Sequence, residues 1–333
     1  MQKPILTIAI PTYNRIASLC KSLDVLFPQA QEDVCFLIID NASSSSVGDS
    51  IRCRFGEAIP GSVRIVRNAF NLGCNANALR CLELTETEWL WVLGDDDVVS
   101  KDAVDVVVTE IRRSAGHVAM NFGSHLFRRR NAYSTRGLAA TIAGMDSYSN
   151  LLYMATTAYK VSLLRRRLDL GYHFGYACAH FLPLLFAGLK EDEEVLWSER
   201  QVILSTLQSG VGFSNVFVYL GRYILLDLPI KQTTRAALAK RLRESRLSWS
   251  YMLTHLVQLA VTEGSPVEAR YYCSQIRLRG RLCDRGVLSR FAGLVNGLAL
   301  RVPRLSLGAI RGVYWMLHRK PLPVVYVKYD HFE

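Results

Sequence analysis

The sequence predicts an α/β fold built on a mostly parallel sheet. Apolar, β-branched runs alternate with helical patterns through the first half of the chain. Several of these runs are continuously apolar, as strands covered on both faces are. Each is followed by a cluster of polar residues at its C-terminal end. Strands alternating with helices mean βαβ units, and in such sheets ligands gather beyond the carboxyl ends of the strands.

The elements follow in order. PILTIAI (4–10) reads as a strand ending at Pro11, which cannot donate to a ladder. RIASLCKSLDVLF (15–27) is helical, with Leu19, Leu23 and Leu26 on one face. VCFLIID (34–40) is a buried strand. NASSSSVGDSIRCRF (41–55) is a polar loop entering a helix that any of its serines could cap. SVRIVRN (62–68) is a third strand, GCNANALRCLELT (73–85) a helix and EWLWVLG (88–94) a fourth strand. Ser100 is placed to cap a helix over KDAVDVVVTEIRRS (101–114), and HVAMNFGSHLF (117–127) is a fifth strand. The pattern is mixed from about 140 to 230. It is mainly helical from 234 to 320, with Pro303 and Pro321 as punctuation.

Composition narrows the function classes. The chain has 333 residues, half of them hydrophobic, enough for one large domain or a domain with an appendage. Eight scattered cysteines form no C-x-x-C pair, which leaves a zinc site unsupported and fits buried thiols kept reduced in cytosol. The N-terminus has too short an apolar stretch for a signal peptide, and no run reaches the ~18 apolar residues of a membrane span. Charge is uneven. From Lys231 onward there are 18 Lys/Arg against 6 Asp/Glu, net +12, whereas the first 230 residues carry 22 against 23. A near-neutral body with a basic tail is thus expected.

The segment EWLWVLGDDDVV (88–99) poses the chemical question. Adjacent carboxylates at roughly 5 Å and an effective dielectric near 20 repel by about 3 kcal/mol. A divalent cation shared with a polyphosphate would relieve that repulsion. Magnesium and manganese accept one or two protein carboxylates and complete their shells with water and phosphate oxygens. Glycine-rich phosphate loops of the G-x-x-x-x-G-K-[ST] or G-x-G-x-x-G type do not occur after a strand. Phosphates would therefore be handled mainly through metal.

Four stretches, IAIPTYNR, LIIDNAS, RNAFNLGCNAN and WLWVLGDDD, resemble in order and spacing the nucleotide-sugar half of family 2 glycosyltransferases of the GT-A fold. The G-D-D-D form and a later AHFLPLLFA segment are most similar to the abequosyltransferase-like branch, which acts on lipid-linked O-antigen and similar glycans. The resemblance is strong over 5–115, extends to about 205 and stops by 230. It implies a GT-A domain over 1–230, divided into a nucleotide-sugar half (1–115) and an acceptor half (116–230), followed by a helical basic region over 231–333.

Carried onto this chain, the resemblance implies that Pro11, Thr12, Tyr13 and Arg15 form a loop around the nucleoside. Asp40 would face the base, with Asn41 beside it, without choosing among uracil, thymine and cytosine. Asn71 and Gly73 would close over ribose and diphosphate. Asp96 aligns with the family's metal-side aspartate, Asp95 lies near ribose or metal, and Asp97 stands behind them; all three are candidate ligands for Mg2+ or Mn2+. Gly94 replaces the first aspartate of the family's D-x-D pattern. Inverting transfer needs a base for the acceptor hydroxyl. Where the family supplies a carboxylate, this chain has GYACAHFLPLLFAGLK (175–190), in which His180 is the candidate, since an unperturbed imidazole, with a pKa of about 6.5, suits a base. Asp192 and Glu193 are runners-up.

The implied partners are a nucleoside-diphosphate sugar donor and a glycan acceptor, such as an undecaprenyl-diphosphate-linked oligosaccharide. SRFAGLVNGLALRVPRLSLGAIRGVYWMLHRK (289–320) interleaves aromatics and aliphatics with arginines, as helices on an anionic leaflet do. No nucleic-acid motif accompanies the charge. The expected place is cytoplasmic, peripheral on the inner face of the cell membrane. A sugar nucleotidyltransferase and a non-catalytic nucleotide-sugar-binding protein are the alternatives.

Overall fold

The computed structural model describes residues 3–114, 116–175, 181–206, 222–244 and 303–319. The chain divides into two compact units. One comprises residues 1–176 and 180–209, the other 177–179 and 210–333.

The first unit is built on one nine-stranded sheet. Its strands are β1 (Leu6–Thr12), β2 (Val34–Asp40), β3 (Val63–Arg67), β4 (Trp89–Val92), β5 (Asp97–Val99), β6 (His117–Ser124), β7 (Tyr133–Arg136), β8 (Thr157–Lys160) and β9 (Glu194–Thr206). The order is β3-β2-β1-β4-β8-β6-β9-β5, with β7 also paired to β9. β3, β2, β1 and β4 are mutually parallel, and β6 runs parallel to β9. β8, β5 and β7 are antiparallel to their neighbours. The sheet is thus of the α/β kind expected, with reversed strands added on one side.

Helices α1 (Ile16–Leu26), α2 (Val47–Phe55), α3 (Cys74–Leu84) and α4 (Ala103–Arg113) follow β1, β2, β3 and β5. The apolar spacing of α1 buries Leu19, Leu23 and Leu26 as anticipated. They join Leu6, Ile8, Ile10, Phe36, Ile38 and Trp91, with Val104, Val107 and Val108 of α4, in a single core. Each such side chain contributes roughly 1.5–3 kcal/mol on burial. Short helices α5 (Gly137–Gly144), α6 (Tyr148–Leu152), α7 (Val161–Arg165), α8 (Leu168–His173) and α9 (Leu182–Gly188) lie between the later strands.

Two local expectations are corrected. β1 runs through Pro11 to Thr12, which pairs with Asp40. The missing N–H of Pro11 points toward β4, whose pairing with β1 has already stopped at Ala9 opposite Val92, so nothing is lost. α4 begins at Ala103, not after Ser100. The Ser100 hydroxyl is buried without a hydrogen-bond partner, and the Val104 N–H is capped from afar by Gln29 Oε1 at 3.0 Å. For α2, Ser46 is the serine that caps, accepting from Asp49 N at 3.1 Å.

In the second unit the described residues form a turn of 3-10 helix at Arg222–Asp227, helix α10 (Gln232–Glu244) and helix α11 (Pro303–His318).

Candidate functional site

The carboxyl ends of β1, β2, β3 and β4 share one edge, and side chains there knit the exit loops together. The turn Gly94–Asp97 follows β4 and opens β5. Thr12 Oγ1 donates to Asp95 Oδ2 at 2.7 Å. The Arg15 guanidinium forks across the turn, with Nη1 2.9 Å from Asp95 Oδ1 and Nη2 2.5 Å from Asp96 Oδ2. From α1, Ser22 Oγ donates toward the backbone carbonyls of Asp95 and Asp97, at 3.1 and 3.0 Å.

The three aspartates are not equivalent. Asp97 is buried; its Oδ2 accepts the Gly94 N–H at 2.6 Å and its Oδ1 accepts the Tyr153 hydroxyl. Burial pushes its carboxyl up to about 7, Tyr153 and Gly94 pulling down and Asp96 adding repulsion. Asp95 is also buried, and desolvation lifts it to about 6 against the pull of Arg15 and Thr12. Asp96 alone of the three keeps a partly exposed side chain, at 22%. Gly94 leaves room in this turn: a Cβ there would lie 3.0 Å from both Asp96 Oδ1 and Asp97 Oδ2, so the two side chains would have to shift to admit one.

The neighbouring loops are equally braced. Asp40, at the end of β2, is buried; Oδ1 accepts the Ser43 N–H at 2.8 Å and Oδ2 pairs with Arg67 at the end of β3. Arg67 Nη2 also donates to Ser43 O at 2.8 Å. Asn14, with a positive φ of 53°, accepts the Ser44 N–H through Oδ1 at 2.8 Å and joins the first loop to the second. A chain of amides secures the third. Asn41 Nδ2 donates to Asn71 Oδ1 at 2.6 Å, and Asn41 Oδ1 accepts from Asn68 Nδ2 at 2.9 Å and Leu72 N at 3.0 Å. Asn68 Nδ2 also lies 2.9 Å from Asn77 Oδ1 on α3. Asn71 Oδ1 takes the Gly73 N–H at 2.8 Å as well. Gly73 has φ 79° and ψ 161°, a conformation essentially reserved for glycine. Within the protein nothing crowds a Cβ there, so backbone conformation alone demands this glycine.

Each anticipated residue can now be located. Pro11, Thr12, Tyr13, Arg15, Asp40, Asn41, Asn71, Gly73, Asp95 and Asp96 all lie at this edge. Thr12 and Arg15 turn toward the aspartates. Asp97 faces inward, both carboxylate oxygens accepting hydrogen bonds from protein donors. His180 lies outside the described residues. Asp192 is exposed in the turn before β9, and Glu193 is held by Arg166 at 2.6 and 2.7 Å. Sequence reasoning missed Ser22, Arg67, Asn77 and Tyr153. Arg67 was findable, because it closes the third strand beside Asp40. Tyr153 was not, because 56 residues separate it from Asp97.

Among the described residues no three His, Cys, Asp or Glu side chains converge to enclose a metal ion. The donor set that exists suits a different kind of binding. One accessible carboxylate, Asp96, backed by Asp95, fits a hard cation that takes one or two protein oxygens and completes its shell from phosphate and water. The fit is to Mg2+ or Mn2+, not to a zinc cage.

Sheet, flanking helices and this braced carboxyl edge define an α/β protein of the GT-A type. Comparison with known proteins specifies it. The model of glycosyl transferase family 2 matches residues 7–186, and the chain belongs to that family. It is similar to the abequosyltransferase RfbV of Salmonella typhimurium, 31% identical over 114 residues, which are 33% of this chain and 34% of that protein. The match thus spans about a third of the relative's length. Among solved structures it resembles S. aureus TarS 1–349, with a TM-score of 0.56, 13% identity and coverage of 93% of this chain and 92% of that one. The same protein in complex with UDP-GlcNAc gives 0.57 at 14% identity, with the same coverage. At such identity the likeness to TarS shows the fold.

Proposed function

We propose that this protein transfers a sugar from a nucleoside-diphosphate sugar to a hydroxyl of a glycan acceptor, with a divalent cation and with inversion at the anomeric carbon. One observation carries the proposal. The Arg15–Asp95–Asp96 cluster is joined through Thr12 to the same strand-end edge as Asp40 and the Asn41–Asn71 latch. A diphosphate bridging those loops would meet the acidic turn.

Chain residues have separable tasks in this reading. Asp40 accepts from the base, held by Arg67 and the Ser43 N–H. Pro11 and Tyr13 flank the nucleoside, and Asn71 and Gly73 bound the ribose and diphosphate. Asp96, with Asp95 behind it, holds Mg2+ or Mn2+. When bound, that ion supplies charge neutralisation for the departing nucleoside diphosphate. Asp97 fixes the turn from beneath. The acceptor hydroxyl loses its proton to a base as it attacks, and His180 is assigned this step because the family's carboxylate is replaced there.

The acceptor we propose is a lipid-linked oligosaccharide of the undecaprenyl-diphosphate kind, as O-antigen and other cell-surface polysaccharides require. The likeness to an abequosyltransferase supports it. So does the net charge of +12 beyond residue 230, which suits an enzyme peripheral on the anionic inner face of the membrane. Among the described residues no helix is long and apolar enough to cross a membrane.

The test is product analysis. Purified protein is incubated with UDP-, dTDP-, CDP- or GDP-sugars, manganese and bacterial lipid extract, and released nucleoside diphosphate and glycolipid are measured. Release that depends on acceptor, for one nucleotide class, is the expected result. Formation of pyrophosphate from a nucleoside triphosphate and a sugar phosphate would instead identify a nucleotidyltransferase.

A further inference from the structure

Helix α11 turns large apolar side chains outward. Leu307 is buried and Ile310 half-buried, so the helix has an inward face. Yet Leu305 is 75% exposed, Met316 61%, Trp315 53% and Val313 51%. At 100° per residue, Leu305, Ala309, Gly312, Val313 and Met316 fall in one arc of about 100°. All five are exposed. Scattered surface leucines need no explanation, but a continuous apolar stripe on one helix does.

The border of the stripe is basic and aromatic. Arg319 is exposed and falls about 20° beyond one edge of it, and its guanidinium lies 5.1 Å from the centre of the Trp315 ring. No acidic residue occurs between Pro303 and Arg319. The helix ends at Arg319, whose N–H bonds Trp315 O at 2.8 Å and whose φ is 52°. At 1.5 Å per residue its 16 residues span about 24 Å, and the arginines preclude burial across a bilayer. An apolar face with a cation and an indole along one boundary suits a helix lying in the plane of a membrane interface. The occupant of the face must therefore be both apolar and negatively charged at its rim.

We infer that α11 is a membrane-surface anchor: it lays Leu305, Val313 and Met316 among the acyl chains of a bilayer while Arg319, beside Trp315, meets anionic lipid headgroups. The inference rests on, and deepens, the proposal of a lipid-linked acceptor. It would hold the enzyme on the surface to which such an acceptor is confined.

Co-sedimentation of the full chain with vesicles of phosphatidylcholine, alone or mixed with phosphatidylglycerol, tests it. The expected result is binding to the mixed vesicles. Val313→Glu/Met316→Glu should lower the bound fraction about tenfold or more, and Arg319→Glu should lower it in mixed vesicles only. Both changes are at exposed positions, and circular dichroism with nucleotide-sugar binding in solution reports that the fold and donor site survive. Equal binding by wild type and double variant, or no binding by wild type, overturns the anchor. So does a concentration-dependent oligomer that the double variant abolishes without any vesicle binding, which would make the face a contact between copies. Vesicle binding without transfer to any lipid-linked acceptor would leave the anchor standing and remove the acceptor proposal.

Discussion

Arg15 and Asp95 form a pair in which Nη1 stands 2.9 Å from Oδ1, while the other arm of the same guanidinium reaches Asp96 at 2.5 Å. One cation thus serves two adjacent carboxylates, of which Asp95 is nearly inaccessible. This offsets the repulsion between two of the three consecutive aspartates; the third, Asp97, is buried and raised toward its neutral form. Arg15 also loads the turn with a fixed positive charge where a metal ion is proposed to act.

Removing that charge has two expected consequences. Arg15→Ala leaves Asp95 buried with Thr12 as its main remaining donor, and should cost about 2–3 kcal/mol in urea unfolding without metal. The same variant presents a more negative turn, so manganese should raise its melting temperature by more than it raises that of the wild type. An equal or smaller manganese shift in the variant would contradict the proposed metal site.

The inward aspartate gives a pH signature. Burial holds Asp97 near 7 and Asp95 near 6, against an ordinary 3.8. In the window between 3.8 and those values the folded chain keeps protons that the unfolded chain has released. Stability from these groups therefore falls as pH rises through the window and levels off above about 7. Asp97→Asn removes one titration. The unfolding free energy of the variant minus that of the wild type should rise by about 2–4 kcal/mol from about pH 4 to pH 8. Nucleotide binding should survive the change, since this carboxylate faces Tyr153 and Gly94. A flat difference across pH would show that Asp97 is not raised by burial.

The amide chain predicts a local effect. Asn41→Ala removes one partner each from Asn71, Asn68 and the Leu72 N–H; Asn68 keeps Asn77 and Asn71 keeps the Gly73 N–H, so the loss is about 0.5–1.5 kcal/mol per hydrogen bond and falls on the loop. Hydrogen exchange followed by mass spectrometry should show the 68–73 loop opening faster, with exchange in β1 little changed. Unaltered exchange over 68–73 would mean that the backbone, not Asn41, holds the loop.

Glycine at 73 is required by its backbone. Gly73→Ala should cost about 1–3 kcal/mol, because φ 79° with ψ 161° is closed to other residues. Gly61→Ala is the control: space there is open and φ is not positive, so thermal melts should scarcely move.

Much of this was legible in the chain itself. Continuous apolar runs marked β1, β2, β4 and β6, because strands buried on both faces have no polar side to disguise them, whereas the half-exposed β3 showed itself by Val63, Ile65 and Val66 among arginines. Strand ends marked the site for the same reason, since Asp40 and Asp95–Asp97 interrupt apolar runs abruptly. What stayed hidden is pairing between distant segments. β8 and β9 enter the sheet from far along the chain, and no local pattern announces that Trp91 Nε1 will donate to Ala155 O, or Tyr153 to Asp97. The turn chemistry was only half visible. Gly94 looked like a lost ligand, whereas in the structure it makes room for the two aspartates that follow.

The claim on which the account depends is that a divalent cation joins Asp96 to the donor's diphosphate. Isothermal titration of the cognate nucleoside diphosphate, with and without manganese, into wild type and Asp96→Asn tests it most directly. The account predicts tight binding only for wild type with manganese, and a loss of more than about tenfold in the variant, whose fold stays intact. Equal affinity in the two proteins, or affinity indifferent to manganese, would contradict it.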